Sequence, residues 1–422
     1  MIQLAARSWT RYSHVNWALA DQGMVSGTNF LTGILLARYL GLEEFGRFTL
    51  AWMAVLFVNS IAHAMIISPM MSIGPLQPEA ESPAYFGAVV VQQICFAVLT
   101  FILIMFGVRM SGVFFPEWRV EELAFPLACT ASIFQLQNFL RRYFFTRMRA
   151  VTAFANDAVT YLGRLAGLAW LFWWYRSNDI AEVLWVITAS YAIATAIGSP
   201  GLRGLVWRAQ HWFSVAKRNW RFARWLVASA VLQWGIGNFF LIVVASVIGA
   251  PAVGGYRAVQ NIIGVTHILL FGLENVVPPQ ASRHFYADGH RALSAYLRKV
   301  AWLGGGMTLA VALLIAAFPE FLLNLVFGGD YVAYADILRW IALCKPIYFL
   351  RQPLRAGLRT IEETKPLFLA SLLASFLSLA TAFFVVKHFG LYGVIFGVLI
   401  INVITQALLW WAFIRGLRGA TG

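Results

Sequence analysis

Apolar runs of about twenty residues, recurring about twelve times, leave this chain one kind of solvent to fold in. A helix rises about 1.5 Å per residue, so roughly 20 apolar residues cross the ~30 Å of membrane hydrocarbon. By that measure the first half carries spans at about 17–40, 48–74, 86–108, 122–140, 153–175 and 183–200. The second half carries them at about 225–249, 254–277, 300–323, 333–351, 366–386 and 391–414. Hydrocarbon offers the backbone no hydrogen-bond partners, so each run must satisfy its own amides as a helix. The expected fold class is therefore an all-α polytopic membrane protein with about 12 transmembrane helices. Hydrophobic residues make up 60% of the chain and charged ones 12%, and the latter is about half the share of a soluble domain. No interval between runs is long enough for a separate soluble domain. The first fourteen residues, MIQLAARSWTRYSH, hold no continuous apolar core, so no cleavable signal peptide is expected. Cys95, Cys129 and Cys344 all fall inside apolar runs at no ligand-like spacing and read as packing residues. No metal and no cofactor are expected.

The loops test the span count. Arg38, Arg47, Arg109, Arg119, Arg176 and Lys387 fall on one side, and Arg164, Arg257, Arg339 and Lys345 lie within spans. The other 22 of the 32 Lys and Arg residues fall on the opposite side together with both termini. Such a bias marks the cytoplasmic face, and it requires an even number of spans. The net charge of +14 is then a property of loops facing anionic lipid, and no nucleic-acid partner is expected. Six of those cations (Arg203, Arg208, Lys217, Arg218, Arg221, Arg224) lie in LRGLVWRAQHWFSVAKRNWRFARW, residues 202–225, with no acid among them. Aromatics alternate with the cations, as suits a helix in the headgroup layer. The expected organisation is an N-terminal lobe at 1–201, a basic cytoplasmic linker at 202–225 and a C-terminal lobe at 226–422.

Internal repetition supports two lobes. Setting ARYLGLEEFGRF (37–48) over ASVIGAPAVGGY (245–256), a shift of 208, pairs Ala37 with Ala245, Gly41 with Gly249, Gly46 with Gly254 and Phe48 with Tyr256. Leu140-Arg141 and Thr146 likewise meet Leu354-Arg355 and Thr360 at a shift of 214. Copies of six helices share orientation and relate by an axis along the membrane normal. LLARYLGLEEFGRFTL, its repeat IGAPAVGGYRAVQNI and the later PPQASRHF resemble the polysaccharide transporter branch of the MOP flippase superfamily, the Wzx-like O-antigen and exopolysaccharide flippases. That resemblance covers nearly the whole chain and rests on glycine turns rather than catalytic residues. It implies two six-helix lobes around a central cavity, alternating access, and a lipopolysaccharide- or exopolysaccharide-pathway substrate carried on undecaprenyl pyrophosphate across a bacterial inner membrane. It further implies a polysaccharide polymerase and a chain-length regulator as partners, beside membrane lipids. Sister branches include peptidoglycan-precursor flippases and MATE antiporters.

Charges inside spans point to the working groups, because each needs a partner or a watery cavity. Arg164 lies roughly 16 Å into span five, on the face of Asp157 and Tyr161. It is read as a cavity cation for pyrophosphate oriented by those two, or as half of a buried ion pair. Lys345, roughly 18 Å into span ten, is a second candidate. Arg257, Arg339 and Arg38 join them as substrate-binding candidates, each able to snorkel instead, and Asn29 sits at the midplane of span one. Asp21 and Asp157 are the ion-coupling candidates; for Asp21 an inner-leaflet salt bridge or cap is the competing reading. Gly304-Gly305-Gly306 suggests a bend or a close helix contact. No nucleophile elbow, zinc motif, phosphate loop or carboxylate pair occurs in a suitable context, so no enzyme is expected. The competing functions are an ion-coupled small-molecule exporter, a membrane enzyme such as a polysaccharide polymerase, and a non-transporting scaffold.

Overall fold

A computed structural model describes residues 2–361, 363 and 365–419, with side chains placed for all of these except 2–15, 117, 265–276, 279 and 417–419. The helices are α1 (Ile2–Ala62), α2 (Ser68–Ile73), α3 (Ser82–Phe114), α4 (Ala124–Thr146), α5 (Ala150–Trp170), α6 (Ile180–Gly198), α7 (Ala209–Val247), α8 (Ala250–Ala317), α9 (Pro319–Phe327), α10 (Ala335–Phe349), α11 (Arg351–Thr360) and α12 (Lys365–Gly419). Among the described residues there is no strand, and seven helical stretches are long and apolar enough to cross a membrane. The protein is an all-α, multi-pass membrane protein.

The longest helices are not single spans. Helix α1 breaks at Gly41, α8 at Asp288 and Gly289, and α12 at Gly390. Cut there, these three supply two segments each, while α3, α4, α5, α6, α7 and α10 supply one each. Among the described residues this gives the twelve segments expected from the apolar runs. Glycine is required at the breaks. Gly41 takes φ 75° with ψ 179° and Gly249, which the repeat sets over it, takes φ 112° with ψ 174°, a region essentially closed to residues with a Cβ. The two repeat copies thus reverse the chain with the same backbone device.

The chain divides into two compact units, 1–234 and 235–422. The division lies within α7, because the basic stretch and the seventh apolar run form one unbroken helix from Ala209. Buried Asn219 ties the basic part to the N-terminal unit, donating to Gln92 Oε1 at 3.1 Å and accepting from Tyr85 Oη at 3.3 Å. Within this unit α3 packs on α4, α4 on α6, and α5 on both α1 and α6. Within the C-terminal unit α8 packs on α10 and α11, and α11 on α12. Leu293, Leu297, Leu358, Leu409 and Phe413 anchor one end of that packing.

The triple glycine resolves into one close contact. A Cβ on Gly304 would stand 2.2 Å from Cζ of Phe349, whose ring is buried against α8, whereas nothing lies within 4 Å of a Cβ on Gly306. Gly304→Ala is expected to destabilise the C-terminal unit by about 1–3 kcal/mol through overpacking. Gly306→Ala should be neutral or slightly stabilising by helix propensity. Thermal unfolding of the two purified variants checks the pair, and equal melting temperatures would remove the close contact as the reason for Gly304.

Candidate functional site

The N-terminal unit buries a chain of polar groups on α5. Asn156, Asp157, Thr160, Tyr161 and Arg164 are all buried, together with Ala153 and Leu168, at the three- and four-residue spacing of one helix face. A polar stripe inside an apolar bundle persists only if its groups find partners. Asp157 finds Arg141 of α4, whose Nε lies in ion-pair contact with Asp157 Oδ2. The same guanidinium reaches Asp21 of α1, with Nη2 to Oδ2 at 2.5 Å. Relative exposures of 1% for Asp21, 0% for Asp157 and 8% for Arg141 mean that solvent screens little of this. Gln137 completes the knot, donating from Nε2 to Asp157 Oδ1 at 2.9 Å and to Thr160 Oγ1 at 3.0 Å.

Arg141 was expected in a cytoplasmic loop, with span four ending at 140. The structure corrects this: α4 continues to Thr146 and carries Arg141 inward between two acids. Asp21 therefore has a salt bridge, the competing reading of its role, made to a residue 120 positions away. Asp157 is engaged by Arg141 rather than by Arg164.

Arg164 is held separately, about two turns beyond Asp157 on α5. Its Nη2 donates to Asn29 Oδ1 at 2.7 Å and its Nη1 to Tyr191 Oη at 3.2 Å, with the guanidinium 5.1 Å from the Tyr161 ring centroid. The expected alignment with Tyr161 is present, as a cation–π contact. No carboxylate pairs with Arg164 among the described residues. Asn29 is exposed on α1, so this group reaches the surface of its unit through a neutral amide.

The C-terminal unit holds a cavity of about 370 Å³. Tyr256, Arg257 and Gln260 from the second and third turns of α8 line it, opposite Lys345 and Tyr348 of α10 and Ile395 and Val398 of α12. Arg257 Nη1 donates to Gln260 Oε1 at 3.0 Å, and Lys345 Nζ lies 5.8 Å from the Tyr348 ring centroid. Among the described residues the lining thus carries two cations and no carboxylate. Two of the candidates found by depth in different spans, Arg257 and Lys345, converge on one space.

The remaining candidates lie elsewhere. Arg339, a substrate-binding candidate able to snorkel instead, bonds Glu320 Oε1 at 2.9 Å, contacts Asp336, and donates from Nε to Ala316 O at 3.2 Å. With two acids beside it, its charge is already answered. Arg38 is exposed on α1 and belongs to neither group. Sequence reasoning missed Tyr191, Gln137 and Arg141; the repeat pairing of Leu140-Arg141 with Leu354-Arg355 was the one signal that marked Arg141.

Comparison with known proteins follows the same lines. A family profile described as MatE matches residues 226–384. No curated protein sequence matches the chain. Among solved structures, a multidrug resistance MATE family transporter of the MOP superfamily in an inward-facing conformation aligns with a TM-score of 0.74 at 15% identity, covering 94% of this chain and 96% of its own. The lipid II flippase MurJ in an inward closed conformation aligns at 0.68 and 12% identity, covering 96% of this chain and 89% of its own. A MOP superfamily transporter from Pyrococcus furiosus, described by a reversed polarity of its binding pocket, aligns at 0.61 and 14% identity, covering 94% of each chain. The fold is that of the MOP superfamily transporters.

Proposed function

We propose that this protein is a flippase that moves an undecaprenyl-pyrophosphate-linked oligosaccharide across the bacterial inner membrane for surface polysaccharide synthesis. The observation that carries the reading is the cavity bearing Arg257 and Lys345 and, among the described residues, no acid. A diphosphate about 4 Å from one such cation gains roughly 4 kcal/mol at an effective dielectric of about 20, and an organic cation would be repelled by as much. Arginine adds a bidentate fork that matches phosphate oxygens. Arg164, presented with Asn29 on the N-terminal unit, remains a further substrate-binding candidate in this reading. Translocation requires no covalent chemistry, only different affinities for the cargo in two conformations. Delivery at the outer face would supply a polymerase and a chain-length regulator.

A MATE-like, ion-coupled exporter is favoured by a different observation, the pair of fully buried carboxylates Asp21 and Asp157 around Arg141. In a flippase the same acids supply ion coupling, exchanging Arg141 for a proton or sodium ion. Lipid analysis of cells depleted of the protein separates the readings. Accumulation of the lipid-linked oligosaccharide in the inner leaflet, with loss of surface polysaccharide, is the expected result. An unpolymerised lipid reaching the outer leaflet would point to a polymerase, and altered drug susceptibility with unchanged lipids to an exporter.

A further inference from the structure

A second concavity, of about 730 Å³, opens at one end of the C-terminal unit, away from Arg257 and Lys345. Four chain segments end or turn at its wall: the Asp288–Gly289 break of α8, the end of α11, the start of α12 and the last turns of α12. Among the described residues its polar half carries Lys365, Arg415 and His290 against one acid, Glu363. Among the described residues no ion pair joins Glu363 to either cation. Arg415 stands over the Trp411 ring, 5.4 Å from its centroid, which fixes the guanidinium at the rim. His290 packs on Phe285 with ring centroids 5.0 Å apart, and its Nδ1 is buried with no hydrogen-bond partner.

The other half is apolar and continues out of the concavity. Leu369 lines it, and Leu372 and Phe376 follow on the same face of α12, exposed by 44%, 45% and 67%. Cations at a helix end above an apolar stripe match an amphiphile, with an anionic head at the interface and a chain in the hydrocarbon. The Lys and Arg bias of the loops assigns this end to the cytoplasmic leaflet, where anionic lipids concentrate.

We propose that this concavity binds the phosphate headgroup of an anionic phospholipid, with Lys365 and Arg415 on the phosphate and an acyl chain along Leu369, Leu372 and Phe376. This site is separate from the cargo cavity and does not depend on what the cargo is. The test is native mass spectrometry of the full chain in detergent, titrated with phosphatidylglycerol and with phosphatidylcholine. Phosphatidylglycerol is retained in preference, and K365A/R415A lowers that retention at least about tenfold, as expected for two cations near a lipid surface. Both side chains are exposed, so the variant should keep the parental melting temperature. R298A/K299A, removing two exposed cations outside the concavity, keeps the retention. Equal retention of the two lipids, an equal loss in R298A/K299A, or displacement of the lipid by inorganic phosphate would each overturn the proposal, the last by showing a site for the free anion.

Discussion

Lys345→Ala is expected to lower translocation roughly tenfold to hundredfold, the range set by losing charge-assisted hydrogen bonds to an anion, and Lys345→Glu to bring it to background. The folded protein should not suffer. Lys345 faces the cavity beside Tyr348, and no carboxylate pairs with it among the described residues. Removing it strands no partner, while an isolated cation within a membrane protein is itself unfavourable. Melting temperature and yield should therefore hold steady or rise while transport falls. Lys345→Arg keeps the charge and should retain most of the activity. The measurement is movement of a fluorescent lipid-linked oligosaccharide across vesicles containing the purified protein. Parental rates in Lys345→Ala would leave the lysine as a packing residue and withdraw it from the cargo site.

Arg141→Ala is expected to do the reverse, damaging the fold before it touches transport. Its guanidinium is shared by Asp21 and Asp157, both essentially inaccessible. Deleting it leaves two buried carboxylates facing each other without a cation, and breaking a buried pair from one side costs about 3–5 kcal/mol. That is a large part of the stability of an ordinary domain. Expected results are a marked fall in monodisperse protein on size exclusion and a melting transition lowered or lost. Adding Asp21→Asn and Asp157→Asn to the same chain removes the stranded charges and should recover most of the folded fraction. A single variant that folds like the parent would mean the acids are held by other groups. Recovery of folding without transport in the triple variant would tie the two acids to ion coupling rather than to architecture.

These two arginine and lysine positions show how far the sequence reaches. Arg257 and Lys345 were legible because depth within a single span is fixed by the 1.5 Å rise, and both cations fell inside apolar runs. Arg141 was missed because span four was closed after twenty or so apolar residues, whereas its helix runs to Thr146. The partners of Arg339 were out of reach for a related reason. Its own span says nothing of Glu320, 19 residues earlier on another helix, which pairs with it together with Asp336.

The sequence by itself determined the membrane as solvent, the all-α class, the twelve segments and the paired glycine turns at Gly41 and Gly249. Those follow from local rules: apolar length, the backbone's need to bond internally, and a φ that only glycine reaches. The tertiary structure alone decided which charge meets which. Asp21, Arg141 and Asp157 come from three helices, and Arg257 and Lys345 from two. Periodicity gives each residue a depth and a face on its own helix, but pairing depends on how separate helices cross. That is set by the packing of side chains over whole surfaces, and no single stretch of sequence contains it.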